Sequence, residues 1–300
     1  MMKQNWISPI RIFSLLVLIH ISTISYAQLS DLAKIDYTKL PKGTSDVGYD
    51  RLRGLFNYPI KVNDGSFFLI GLDYSKIELS FDNNIDAFDI DAIEDFQLLD
   101  LNIGYTFKMN ENWRFGARFT PGFSSNLVKE LSFEDAVFSG DIVFIKDKKN
   151  DKSVKKPYRL ILGVSYSGNR GIPFPIPFIS YYRKFHPNWS YKFGIPKSNL
   201  QYHLSKRSRF KLIAELDGFT SNIQGGLLVN GDKLADKANM SIIIGGLRYE
   251  YKFTDHIELY FNVAHIISSS AKLKDRKNNT VISVNKSNTH YLRSGIRFKI

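Results

Sequence analysis

Residues 99–120 read LDLNIGYTFKMNENWRFGARFT. Leu99, Leu101, Ile103, Tyr105 and Phe107 alternate with Asp100, Asn102, Gly104, Thr106 and Lys108. Met109 to Asn112 is a tight polar turn. Trp113, Phe115, Ala117 and Phe119 then alternate with Arg114, Gly116, Arg118 and Thr120. A period of two on both sides of a short polar turn is a β-hairpin with one apolar face and one polar face.

The unit recurs along the chain. Apolar faces are carried by Tyr158, Leu160, Leu162, Val164 and Tyr166, by Trp189, Tyr191, Phe193 and Ile195, and by Phe210, Leu212, Ala214 and Leu216. Leu247, Tyr249, Tyr251 and Phe253 lead into a turn, and Ile257, Leu259, Phe261 and Val263 lead out of it. Leu292, Ser294, Ile296, Phe298 and Ile300 form the last run. Connections near 110, 187, 206 and 255 are short. Those at 83–95, 125–132, 168–177, 220–240 and 267–289 are longer and mostly polar, while the long basic stretch 146–156 breaks the alternation. Such asymmetry belongs to barrels with short turns on one side of a membrane and long loops on the other.

The ends set the compartment. Lys3 and Arg11 precede an apolar run from Ile12 to Ile24, and Ser25-Tyr26-Ala27 puts small residues at −3 and −1 of a cleavage site. That order is a secretory signal cleaved near Ala27. The chain has no cysteine, which excludes disulfides, thiolate metal sites and an acylated N-terminus. The formal net charge is +12. Export makes nucleic acid an unsuitable partner for that charge and points to anionic lipids, lipopolysaccharide or anionic solutes.

Alternation alone fits a soluble sandwich as well as a membrane barrel. Three features favour the membrane. Phe107, Trp113, Tyr158, Phe185, Trp189, Tyr251, Phe253 and Phe298 gather at the short-turn end, as an interfacial girdle does. Gly104, Gly116, Gly163, Gly246 and Gly295 punctuate the polar face, making room for long neighbours inside a barrel. The terminal run from Gly295 through Ile300 resembles the C-terminal strand by which outer-membrane proteins are read by the barrel-assembly machinery, with Ile300 last where Phe is usual and Phe298 two positions earlier.

From about Val47 onward the chain resembles the outer-membrane β-barrel superfamily, and residues 189–199 (Trp-Ser-Tyr-Lys-Phe-Gly-Ile-Pro-Lys-Ser-Asn) resemble a segment of an uncharacterised bacterial barrel family. The resemblance implies a fold and no activity. The expected organisation is a signal peptide over 1–27, a periplasmic lead-in over 28–45 and one closed antiparallel all-β transmembrane barrel over 46–300. About twelve strands are counted from Ser66 onward, within a range of about ten to fourteen. Residues 46–61 read as a further strand or as a stretch packed below or inside the barrel.

Parity turns Arg114, Arg118, Arg159, Lys211, Arg248, Arg293 and Arg297 to the lumen, with Lys108, Lys192, Lys252 and Lys299. Asp100, Glu215, Asp217, Glu250 and Glu258 face the same way. A basic lumen suits a narrow channel or a solute-binding barrel favouring anions. A filled barrel with charges paired across strands is the favoured reading of the same face. The acidic stretch Asp82, Asp86, Asp89, Asp91, Glu94 and Asp95 lacks calcium-loop spacing and reads as a solvated loop. No metal or cofactor site is expected. The alternative is a lipid-modifying acyl hydrolase using His203, Ser205 and Asp217. Against it, His203 and Ser205 point inward near a periplasmic turn.

Overall fold

A computed structural model describes residues 31–43, 47–81, 86–149, 151, 154–172, 174–284 and 289–299. The expected signal segment with its cleavage site near Ala27, Asp82 and Ile300 lie outside these residues. The strands are β1 (Ala33–Leu40), β2 (Val47–Asn63), β3 (Ser66–Phe81), β4 (Asp95–Lys108), β5 (Arg114–Ser125), β6 (Ala136–Asp147), β7 (Tyr158–Ser167) and β8 (Ile176–His186). They continue as β9 (Trp189–Ile195), β10 (Lys197–His203), β11 (Ser208–Val229), β12 (Lys233–Lys252), β13 (Ile257–Lys274), β14 (Thr280–Val284) and β15 (His290–Phe298).

From β1 to β14 each strand pairs antiparallel with the next, β13 also pairs with β15, and β15 returns to β1. The ring is closed. The five-residue β14 only extends the outer end of β13, so fourteen strands make the barrel. Twelve of them lie from Ser66 onward, as the period of two predicts. The additional two are β1 and β2.

The lead-in is thereby corrected. Ala33 pairs with both Phe298 and Phe56, so β1 joins the two ends of the wall. Ile35 and Tyr37 are exposed on the outside while Asp36 and Thr38 are buried inside. Eight residues with two apolar outward positions give too weak a period to stand out. Residues 47–63 are wall strand throughout, Pro59 included.

The start of β1, the end of β15 and the turns at 64–65, 109–113, 187–188, 204–207 and 253–256 share one end of the barrel. The opposite end departs from expectation twice. The stretch 220–240 is mostly strand, because β11 and β12 run on as a hairpin to the turn at 230–232. The β9–β10 connection is Pro196 alone, the shortest in the chain.

The outer wall is apolar. Phe68, Ile70, Leu72 and Tyr74 on β3, Leu99, Leu101 and Ile103 on β4, and Leu259, Phe261 and Val263 on β13 all lie exposed. Covering each such side chain recovers roughly 1.5–3 kcal/mol. A water-soluble protein would forgo that over the whole circumference. Only a closed ring satisfies its backbone in hydrocarbon, and this ring presents the surface hydrocarbon requires. Above the apolar band the outward positions turn polar, with Lys76 2.6 Å from Glu78 and Lys39 3.1 Å from Asp50.

Near the short-turn end, rings touch around the outside. Centroids lie 5.0 Å apart for Phe68 and Tyr105, 5.3 Å for Phe107 and Phe115, and 5.5 Å for Phe115 and Phe144. The series resumes with Tyr181 and Tyr191 at 6.0 Å, Trp189 and Tyr202 at 4.9 Å, and Phe210 and Tyr249 at 5.0 Å. Trp113 carries Lys146 5.8 Å over its ring, and Phe298 lies 5.7 Å from His256. Phe253 is exposed in its turn and Tyr251 half-buried on the wall.

The inside is polar only in part, which corrects a uniform polar lumen. Toward the loop end, Tyr49, Ile77, Phe96, Phe219, Ile242, Ile244 and Tyr291 are fully buried and pack as one apolar core. Here β2–β4 and β11–β13 face each other across the barrel as the sheets of a sandwich do, while their outward side chains stay exposed. The upper part of β11 leans across the mouth to reach β5. Ser124 Oγ donates to the Thr220 carbonyl at 3.0 Å, and Asn222 bridges Ser125 in parallel. Gly218, at φ +137°, permits the departure from the wall, since a Cβ there would lie 2.0 Å from the Met240 carbonyl oxygen.

Candidate functional site

Below the apolar core the lumen holds charges. Glu250 and Glu258 gather the cations of the lower barrel: Lys211 lies 2.7 Å from Glu250, and Arg297 lies 2.9 Å from Glu250 and contacts Glu258. Arg209 reaches Glu250 at 2.6 Å and Glu258 at 2.5 Å. Arg248 donates to Glu215 at 2.9 Å and to Asn262 at 2.7 Å. Buried carboxylates of this kind persist only when paired.

A second cluster lies higher. Asp217, on β11, accepts from Arg51 at 3.0 and 3.2 Å, from Tyr291 at 2.7 Å, and from Arg293. It ties β11 to β2 and β15 across the barrel. Asp73 binds Arg53 and receives Arg170 at 3.2 Å. Asn169 donates to both oxygens of Asp100 at 2.8 and 3.0 Å, anchoring the β7–β8 connection inside.

These groups surround a cavity of about 150 Å³. Arg51, Arg53, Arg170, Lys197 and Arg293 line it, against Asp73, Asp100 and Asp217. The carboxylates are engaged, whereas Lys197 and Arg170 keep 46% and 51% of their side chains accessible. Lys197 is 3.5 Å from Glu215 and Arg170 shares Asp73 with Arg53. The rest of the lining combines the apolar Leu98, Ile172, Phe174, Ile176, Pro196 and Leu216 with Ser75, Ser165, Ser167, Asn169 and Gly218. Such a cavity can take a small anionic group beside an apolar one.

The seven basic candidates divide. Arg293 lines the cavity. Lys211, Arg248 and Arg297 belong to the lower paired network. Arg118 grips Asp141, which also accepts from Ser165 at 2.5 Å. Arg159 stands 3.5 Å from Asp147, and Arg114 donates to the Gly65 carbonyl at 2.9 Å near the turns. Sequence reasoning missed Arg51, Arg53, Arg170 and Lys197. Arg51 and Arg53 alternate with Leu52 and Gly54, a signal that was present but obscured by Pro59. Arg170 comes from a connection whose dip into the lumen has no periodic mark.

The hydrolytic constellation does not assemble. His203 Nε2 is 2.8 Å from Ser190 Oγ, Ser205 Oγ accepts from the backbone of Arg207 and Ser208, and Asp217 holds the arginines. In the acidic loop, Phe88 and Ile93 are buried in the apolar core while Asp86, Asp91 and Glu94 contact solvent. Among the described residues no three His, Asp or Glu side chains cluster as a metal site.

Several solved structures are similar at low identity. A KdgM porin matches at 11% identity and TM-score 0.37, covering 89% of this chain and 99% of the porin. An outer membrane channel from Pseudomonas putida F1 matches at 13% and 0.42, covering 92% and 98%. LpxR from Salmonella typhimurium matches at 9% and 0.40, covering 89% and 100%. At these scores the likenesses carry no functional argument. No curated protein matches the chain. The family described as "Domain of unknown function (DUF6268)" matches over residues 61–300, four-fifths of the chain, and the chain belongs to it.

Proposed function

We propose that this protein is an outer-membrane β-barrel that binds an anionic group in its lumen rather than a standing open pore. One observation carries the reading: five cations and three engaged carboxylates surround a single cavity, with Lys197 and Arg170 half accessible. The apolar core between β2–β4 and β11–β13 and the contact of β11 with β5 support a mouth closed at rest. Charged linings select by sign, so the expected preference is for anions.

Export through the N-terminal signal cut near Ala27 belongs to the same proposal. So do contacts of the girdle with outer-membrane lipids and lipopolysaccharide, and reading of the last strand from Gly295 by the assembly machinery. Planar-bilayer recording and titration calorimetry test the central point. Purified barrel is expected to show no steady ohmic current and to bind a small anion such as phosphate or acetate. Steady conductance of either selectivity, or failure to bind either anion, would overturn the reading.

A further inference from the structure

The wall is interrupted above Pro196. Strands β9 and β10 have seven residues each, whereas β8 has eleven and β11 twenty-two. The last β8–β9 pair is Ile179 with Ile195, and the last β10–β11 pair is Lys197 with Glu215. The Leu216 amide donates to the Pro196 carbonyl at 3.0 Å, completing the sill. Beyond it, residues 176–178 of β8 pair only with β7, and β11 from Asp217 pairs with β12. Residues 168–172, which follow β7, form the lintel. The Thr220 amide donates to the Asn169 carbonyl at 3.0 Å, and Asn239 Nδ2 to the Gly171 carbonyl at 2.8 Å.

The window and the cavity share residues. Phe174, Ile176, Pro196, Leu216 and Gly218 border the gap and line the cavity. Around the window the outer wall is apolar, with Val164, Ile179, Ile195 and Ile243 exposed. Phe174 is 60% exposed at the opening. A break in a barrel wall at lipid depth leaves backbone groups without their ladder partners, which hydrocarbon penalises. Here it connects an apolar lip to the two accessible cations, Lys197 and Arg170.

We propose that the window admits, from the surrounding bilayer, an amphiphile with an anionic head group and one acyl tail. The head sits between Lys197 and Arg170, and the tail passes over Pro196 between β8 and β11. This rests on the anion-binding reading above and adds to it the ligand class and the lateral route. The apolar lip argues for it, because a freely soluble anion gains nothing from Phe174, Ile176 and Leu216.

The test uses the full barrel in lipid nanodiscs, titrated by calorimetry with dodecyl phosphate, inorganic phosphate and dodecyltrimethylammonium, each corrected by empty discs. Dodecyl phosphate is expected to saturate one site per barrel and to bind roughly tenfold or more tightly than inorganic phosphate. The double variant Arg170→Gln/Lys197→Gln should weaken it by roughly tenfold or more, while Lys197→Arg retains it. Heat-modifiable gel migration verifies that each variant is folded. Equal binding of the two phosphates would leave the anion pocket standing and overturn the lateral amphiphile. Saturable binding of the cationic amphiphile, or dodecyl phosphate binding indifferent to the double variant, would also overturn it. Absence of saturable binding by both phosphates would overturn the underlying reading as well.

Discussion

Asp217→Asn isolates a charge at the point that joins three parts of the wall. The carboxylate is shared by Arg51 and Arg293, whose side chains are each 7% exposed, and it accepts from Tyr291. Asparagine keeps the shape and an oxygen for Tyr291 but removes the negative charge. Arg293 retains Thr38 at 2.9 Å and Asp36 at 3.7 Å. Arg51 is left facing the Tyr49 ring 5.7 Å away. Removing one partner of a buried ion pair costs about 3–5 kcal/mol, because the survivor stays desolvated without compensation. Arg51 places this site within that range, while the residual partners of Arg293 prevent a doubled cost. Urea unfolding of the barrel in lipid vesicles, followed by gel migration, reads the loss. Arg51→Met alone should also destabilise, by leaving the buried carboxylate to Arg293 and Tyr291. Combined with Asp217→Asn it should recover part of the loss, giving a coupling of about 2–3 kcal/mol. An Asp217→Asn loss below about 1 kcal/mol, or strict additivity of the two changes, would refute the strut.

Gly218→Ala puts a Cβ 2.0 Å from the Met240 carbonyl oxygen at a φ of +137°. It should lower stability by about 1–3 kcal/mol in the same unfolding assay, and an unchanged midpoint would show that β11 does not need the glycine. Phe219→Ala removes a buried ring stacked on Tyr49 at 5.8 Å and tilted against Phe96 at 5.6 Å. The expected cost is about 3–5 kcal/mol. Intermittent conductance should appear in planar bilayers, and a variant as electrically silent as the parent would remove this ring from the seal. Leu101→Arg places a charge on the exposed apolar wall and should cost about 2–4 kcal/mol in vesicles. A neutral effect would contradict the face assigned to Leu101.

Much of the wall is legible because hydrogen-bonded strands impose a period that any half-apolar surface must obey. The hairpin at 99–120, the turns near 187, 206 and 255, and the girdle from Phe107 to Phe298 follow from that period. The period identifies two faces, however, and not what lies behind each one. Leu98 and Leu99 show the difference. Phe96 and Leu98 are buried inside, whereas Leu99, Leu101 and Ile103 are exposed outside. The doubled leucine marks the height at which the outward face is still in lipid and the inward face has become dry. Ile242, Ile243 and Ile244 repeat the mark on β12, with Ile243 exposed between two buried neighbours. Ile266 and Ile267 repeat it on β13, at the register shift opposite Ile243 and Ile244. A consecutive apolar run inside an alternating strand therefore signals apolar contact on both faces. Read that way, the sequence places the apolar core at one height on facing strands.

The cavity is less legible for a different reason. Arg170 and Lys197 arrive from the β7–β8 connection and from the end of the shortest hairpin, where no period constrains the side chain. Their proximity depends on Asn169 reaching Asp100 and on β10 beginning beside Glu215. These are contacts between distant strands, which close only when the ring does. The shortness of β9 and β10 is itself written in the chain, since Trp189 to His203 holds both strands and Pro196. A hairpin that short beside a 22-residue strand must leave part of its neighbour's edge unpaired. The site is therefore legible first as a missing piece of wall, and only afterwards as a cluster of cations.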